Sequence, residues 1–257
     1  MCRSCRYQCT VTAGTVFNKT RIPIHNWFAA AWYITNQKNG VSALGLQRVL
    51  GLGSYQTAWT ILHKLRRAMV NPCRDKLSKT IEVDETFLGG PRTGKRGAVQ
   101  YTNTKLTVII AVEILEPKGF GRIRLRHISS ASKENVLPFI QEEIVPGSTV
   151  KTDGSPIYHT LSDLGYIHQK TVHLGADDPA HVTMPGVHRV ASLLKRWLMG
   201  TFQGSVKGEH LDYYLDEFAF RFNRRTSKSR GLLFYQLLQQ AVVTESKAYK
   251  DIRGGNH

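Results

Sequence analysis

Apolar positions change their period near residue 72, from helical spacing to strand-like runs. Between Ile24 and Ile34, Trp27, Ala31 and Ile34 recur three or four positions apart, which predicts a helix with one buried face. Ser42 is placed to cap a short helix over Ala43 to Leu50. The turn Gly51-Leu52-Gly53 follows, and Ser54 caps a third helix running to about Met69. Short helix, glycine turn and longer helix make the outline of a helix-turn-helix, and equally that of an ordinary three-helix packing unit.

Beyond Asn71-Pro72 the pattern is β-rich. Thr80 to Asp84 predicts a strand, and Lys105 to Leu115 a second, strongly apolar one. From Gly121 to Ile128, Ile123, Leu125 and His127 alternate with Arg122, Arg124 and Arg126, as on a half-exposed strand. Ser132 is placed to cap a helix through Ile144, and Ser148 to Asp153 is a further strand. Residues 156–164 read as helical, 166–174 as a strand, and 188–244 as mostly helical. Three strands, a helix, a strand, a helix, a strand and then helices predict an α/β fold with a mixed sheet flanked by helices. That order is the one expected of a ribonuclease-H-like domain. The expected organisation is a short cysteine-bearing segment over 1–20, a helical unit over 21–72 and the α/β domain over 78–245.

Charge changes the picture. The formal net charge is +16, more than an enzyme of small neutral substrates requires. A polyanion such as nucleic acid accounts for it, because neutralised phosphates release their counterions, and a solvated basic face, as in a ribosomal or RNA-binding protein, fits the same number. In the third helix, Gln56 comes early, where a side chain reaches base edges, and Lys64, Arg66 and Arg67 come late, where they meet phosphates. The longest apolar run, Leu106 to Val112, falls far short of the roughly 20 residues that cross a bilayer. With no apolar signal region after Met1, the protein is expected in the cytoplasm, associated with the nucleoid. In that compartment Cys2, Cys5, Cys9 and Cys73 fit metal ligands or free thiols better than disulfides.

Two carboxylates carry candidate chemistry. Asp84 sits inside an apolar strand pattern and Asp153 closes another, before Gly154. Carboxylates on adjacent strand ends can share hard cations such as Mg²⁺, and an Asp-Gly pair is also a turn signal. Farther on, His188 precedes Lys195 by seven positions, nearly two helical turns, with Arg196 beside it. A metal ligand there would leave Lys195 to hold a neighbouring phosphate. A basic amphipathic helix with a solvated histidine fits the same spacing.

Three blocks resemble the ISXO-like insertion-sequence transposases: Val83-Asp84-Glu85-Thr86-Phe87-Leu88-Gly89-Gly90, Lys151-Thr152-Asp153-Gly154, and His188 to Leu198. Tyr214 to Arg225 resembles that family's C-terminal signature, and Thr12 to Phe17 and Gly51 to Trp59 are similar to its upstream blocks. The resemblance implies a ribonuclease-H-like catalytic domain of the Asp-Asp-Glu class with two divalent ions, Mg²⁺ or Mn²⁺. It implies nicking at element ends, then attack of the freed 3′-hydroxyl on target DNA, by a homo-oligomer on double-stranded DNA. Asp84 and Asp153 match its first two ligands, and His188 stands at the third, usually Glu, with Lys195 at the family's basic position. Imidazole is softer than carboxylate and favours Mn²⁺. Glu209 and Glu217 are rival third ligands, but neither has a lysine seven residues on, and Glu217 is spaced to pair with Arg221.

Members of that family begin with a zinc ribbon of two Cys-x-x-Cys knuckles. Here Cys2-Arg3-Ser4-Cys5 resembles the second knuckle alone, with Cys9 and the distant His25 as further donors, so a ribbon remnant is expected and Zn²⁺ binding is an open expectation. Two other readings remain: a DNA-binding repressor without catalysis, and a ribonuclease-H-like nuclease that cuts without joining.

Overall fold

The computed structural model describes residues 3–6, 10–71, 73–89, 92–93, 99–100, 106–171, 183–204 and 206–254. The chain divides into two units, one of residues 1–74 with 224–257 and the other of residues 75–223.

In the first unit the expected helices form as α1 (Ile24–Asn36), α2 (Ala43–Leu50) and α3 (Tyr55–Arg67). The Ser42 and Ser54 hydroxyls accept the Gly45 and Thr57 amides at 3.0 and 3.1 Å, satisfying donors that a helix start leaves unpaired. Gly51 ends α2 in the left-handed region, at φ 60°. Trp27, Ala31 and Ile34 are buried, as their spacing predicts. Trp27 stacks edge-on against Phe17 and donates its indole N–H to Thr20 Oγ1 at 3.0 Å. The segment expected to close the α/β domain, from Arg224 on, packs in this unit instead. It supplies α7 (Arg230–Val243) and α8 (Tyr249–Arg253). Phe234 meets Trp32, Tyr249 meets Trp59, and the Val16 amide donates to the Ala241 carbonyl. α7 buries Leu233, Leu237 and Ala241, a stripe that local periodicity cannot assign to one unit or the other.

The second unit is built on five strands: β1 (Thr80–Leu88), β2 (Leu106–Ile114), β3 (Phe120–Ile128), β4 (Thr149–Asp153) and β5 (Ile167–Thr171). Their order across the sheet is β3-β2-β1-β4-β5. β1, β2 and β3 are mutually antiparallel, whereas β4 runs parallel to β1 and β5 parallel to β4. One face packs on α4 (Lys133–Glu143), burying Ile81, Val83, Ile109, Ala111, Phe139 and Ile140. The opposite face packs on α5 (Pro185–Phe202) and α6 (Leu211–Asn223), burying Val108, Ile110, Val112, Val187, Val190 and Leu194 among others. This is the ribonuclease-H-like arrangement that the element order predicts.

Local details differ from expectation: Ser132 stands at the N-cap of α4 without a side-chain cap bond. β1 continues to Leu88, because β2 pairs with it along its whole length, from Thr80–Ile114 to Leu88–Leu106. Residues 156–164 hold one 3₁₀ turn, Pro156–Tyr158, in place of a helix. Arg124 is buried at 4% exposure, with its Nε 3.0 Å from Glu143 Oε2 and its Nη2 bonded to the Asp75 carbonyl. An alternating pattern read Arg124 as exposed, because a charge satisfied by a distant carboxylate looks the same in sequence as a solvated one. No described helix is long and apolar enough to cross a membrane.

One expected DNA contact is corrected by burial. Arg66 is 1% exposed and its Nη2 donates to the Val41 carbonyl at 3.2 Å, so its guanidinium is inside the helical unit and out of reach of a phosphate. Helical phase decides this: α3 buries Leu62, Leu65 and Arg66 on its inner face. Arg66→Ala removes a buried, bonded side chain and should lower unfolding free energy by about 2–4 kcal/mol, measured by urea denaturation. Unchanged stability with weakened DNA binding would restore Arg66 to the DNA-facing surface.

Candidate active site

The site grows from strand register. β1 and β4 pair in parallel with Thr80 opposite Thr149, Ile81 opposite Val150 and Glu82 opposite Lys151. Carried two residues farther, that register sets Asp84 level with Asp153. Side chains alternate along a strand, so Glu82 and Asp84 point away from the face of Ile81 and Val83, toward the α5 face. Asp153 lies on that same face, one residue beyond the fully buried Thr152. Both aspartates are half-buried. Asp84 Oδ1 accepts the Glu85 amide at 2.8 Å, and Asp153 Oδ1 accepts the Ser155 amide at 3.0 Å. Asp153 therefore forms the Asp-Gly turn and faces the candidate site as well, so the two readings of this residue are compatible.

A third carboxylate, absent from the sequence reading, adjoins the pair. Glu85 accepts the Tyr158 hydroxyl at 2.5 Å. Burial raises its pKa to about 7; the Tyr158 hydrogen bond pulls down, while the negative charges of Asp84 and Asp153 push up. Burial, followed by the Glu85 charge, holds the Tyr158 phenol well above its ordinary range. The negative charges of Asp84 and Asp153 that oppose ionisation of Glu85 make this a place where positive charge is welcome. The signal was present in the chain, since Glu82, Asp84 and Glu85 crowd into one apolar nine-residue strand.

On the α5 side, Glu82 is 3% exposed, and its Oε2 accepts the Gly186 and Val187 amides at 2.7 and 3.0 Å. Burial raises the Glu82 pKa, against the pull of those amides and of the nearby Lys151 and His188 charges. His188 follows on the first turn of α5, half-buried. Lys195, two turns on, and Arg196 are both exposed. Among the described residues no three His, Cys, Asp or Glu side chains converge closely enough to hold one ion, so Asp84, Asp153 and His188 border the same face without forming a closed ligand set. Of the rival ligands, Glu209 is exposed, and Glu217 is fully buried with its Oε1 2.7 Å from Arg221 Nη2.

In the first unit, Gln56 lies exposed at the start of α3, beside Tyr55 at 54% exposure. Lys64 is half-buried, with Nζ donating to Ser246 Oγ at 2.7 Å and lying over the Trp27 ring. Arg67 donates to the Glu245 carbonyl at 3.0 Å. Cys5 and His25 are exposed, whereas Cys2 and Cys9, the other expected zinc donors, lie outside the described residues.

The second unit thus carries a ribonuclease-H-like mixed sheet with Asp84 and Asp153 on adjacent strands, β1 and β4. Residues 76–223 match the ISXO2-like transposase domain. The chain is 24% identical over 238 residues, 86% of its length and 77% of the relative's, to an uncharacterized protein in transposable element ISH50 of Halobacterium salinarum. It is 29% identical over 116 residues, 45% of its length and 93% of the relative's, to an uncharacterized transposase-like protein of Haemophilus influenzae. The chain belongs to the ISXO2-like transposase family.

The Glu85 environment predicts a pH dependence of definite sign. Its folded-state pKa lies above the ordinary 4.5, so protonated Glu85 stabilises the fold. That contribution is complete below pH 4.5 and is lost as pH rises through about 7. In metal-free protein, Glu85→Gln should flatten the fall in urea-unfolding midpoint across this window. An equally steep fall in the variant would assign the titration to another group.

Proposed function

We propose that this transposase-family protein binds the ends of its insertion element and catalyses metal-dependent cleavage and strand transfer of DNA. The observation that carries the reading is the β1–β4 register, which levels Asp84 with Asp153 beside a third carboxylate of raised pKa. The hard carboxylate oxygens of Asp84 and Asp153 fit Mg²⁺ or Mn²⁺. Asp84 and Asp153 would hold such ions, with His188 as the third donor from α5. When bound, two such ions supply positive charge against the phosphate and acidify a water molecule.

The chain's own residues do the rest. Asp84 and Asp153 would hold the ions at the strand ends, and Lys195 and Arg196 grip neighbouring phosphates from the exposed side of α5. Hydrolysis at the element end breaks a P–O bond and leaves a 3′-hydroxyl. In strand transfer that hydroxyl attacks a target phosphorus, a new P–O bond forms, and the target strand leaves with its own 3′-oxygen. Gln56 on α3 reads base edges at the element end, while Lys64 and Arg67 contact phosphates. Their present partners, Ser246 and the Glu245 carbonyl, are neutral groups that a phosphate can displace. The excess of +16 supplies the general attraction for DNA. The working form is a homo-oligomer on DNA, at the nucleoid.

The test is cutting and joining of an element-end duplex in Mg²⁺ and in Mn²⁺. Asp84→Asn and Asp153→Asn should each lose cleavage by orders of magnitude and keep DNA affinity. His188→Ala should be nearly inactive, and His188→Glu should keep activity with its preference moved from Mn²⁺ toward Mg²⁺. Full activity of either aspartate variant would place the site elsewhere. Cleavage without joined product would make the protein a nuclease, and DNA binding without cleavage a repressor.

A further inference from the structure

Helix α5 begins without a cap of its own. Met184, at its N-cap, offers no side-chain acceptor, and Pro185, its first residue, has no N–H. The first donors to be satisfied are the amides of Gly186 and Val187. Both go to one buried oxygen, Glu82 Oε2, supplied by a strand more than a hundred residues away in sequence. The next amide, of His188, reaches the Met184 carbonyl only at 3.5 Å. The start of this helix is thus fixed mainly by a carboxylate on β1.

The position of that carboxylate gives it a second meaning. Glu82 is two residues from Asp84, on the same strand face, and its acceptor oxygen binds the two residues immediately before His188. We infer that Glu82 is a positioning residue, fixing the first turn of α5 and so the place of His188 relative to Asp84. The inference rests on the reading of His188 as a site residue. Gly186 is the counterpart of the clamp. A Cβ there would lie 2.8 Å from Glu82 Oε2 and 2.9 Å from Ile114 Cδ1, so a side chain at 186 would push the Glu82 carboxylate from its place on the two amides. A charged acceptor on two amides at the positive end of a helix is also a strong form of this contact.

The clamp is tested on the full chain without metal, by hydrogen–deuterium exchange over residues 184–190. Glu82→Ala should speed exchange there by about tenfold or more and leave the β1–β2 ladder protected. Glu82→Gln keeps an oxygen for both amides and should stay within about threefold of wild type. Gly186→Ala, which removes no polar group, should reproduce the Glu82→Ala pattern and carries the test if Glu82→Ala fails to fold. In element-end cleavage, Glu82→Ala should lower kcat while KM for DNA is unchanged, and Glu82→Gln should recover most of kcat. Unchanged exchange over 184–190 in both Glu82→Ala and Gly186→Ala would overturn the inference, and so would a wild-type kcat in Glu82→Ala. If the wild type proves unable to cut DNA, the proposed function fails, while accelerated exchange in these variants still upholds the clamp.

Discussion

Everything at the site depends on the pairing of β1 between two unlike neighbours. On one side β2 runs antiparallel along its full length and is buried almost throughout, which holds β1 rigid. On the other, β4 runs parallel and is paired over three residues, ending at Glu82 and Lys151, two residues before Asp84 and Asp153. A register slip of one residue would send Asp153 to the α4 face, because side chains alternate. The apolar clusters on both faces make such a slip costly. Val83 and Val150 belong to one cluster, and Val108 and Val112 of the neighbouring strand to the other.

The same strand concentrates a charge problem that the rest of the second unit resolves. Glu82, Asp84 and Glu85 all sit in β1, where ionised carboxylates are expensive to bury. Each finds a different answer. Glu82 faces two helix-start amides, and Glu85 takes a phenol hydrogen bond and a raised pKa. Asp84 stays half-buried, as does Asp153 on the neighbouring strand. Around this acidic strand the chain as a whole is strongly basic, at +16, which favours a polyanionic partner.

Much of this was legible in the chain. Serine caps at Ser42 and Ser54, the apolar run of β2 and the succession of strands and helices are local signals, and each appears where its chemistry requires. What escaped was long-range. Arg66 and Arg124 look like surface cations until a carbonyl of Val41 and a carboxylate of Glu143 are brought to them by folding. The stripe of Leu233, Leu237 and Ala241 marks α7 as half-buried without saying against what, and it packs with the first unit. Asp84 stood out as a charge in an apolar strand, yet Glu82 and Glu85 in the same strand were passed over. Their roles depend on Gly186, Val187 and Tyr158, which only the tertiary structure places beside them.

The central claim is that the paired strand-end aspartates hold divalent ions. The most direct measurement is Mn²⁺ titration of the DNA-free protein, following the free ion by electron paramagnetic resonance. Saturable binding in wild type, lost in the Asp84→Asn, Asp153→Asn double variant and kept in Glu209→Gln, is the predicted result. Equal binding by wild type and the double variant would contradict the account.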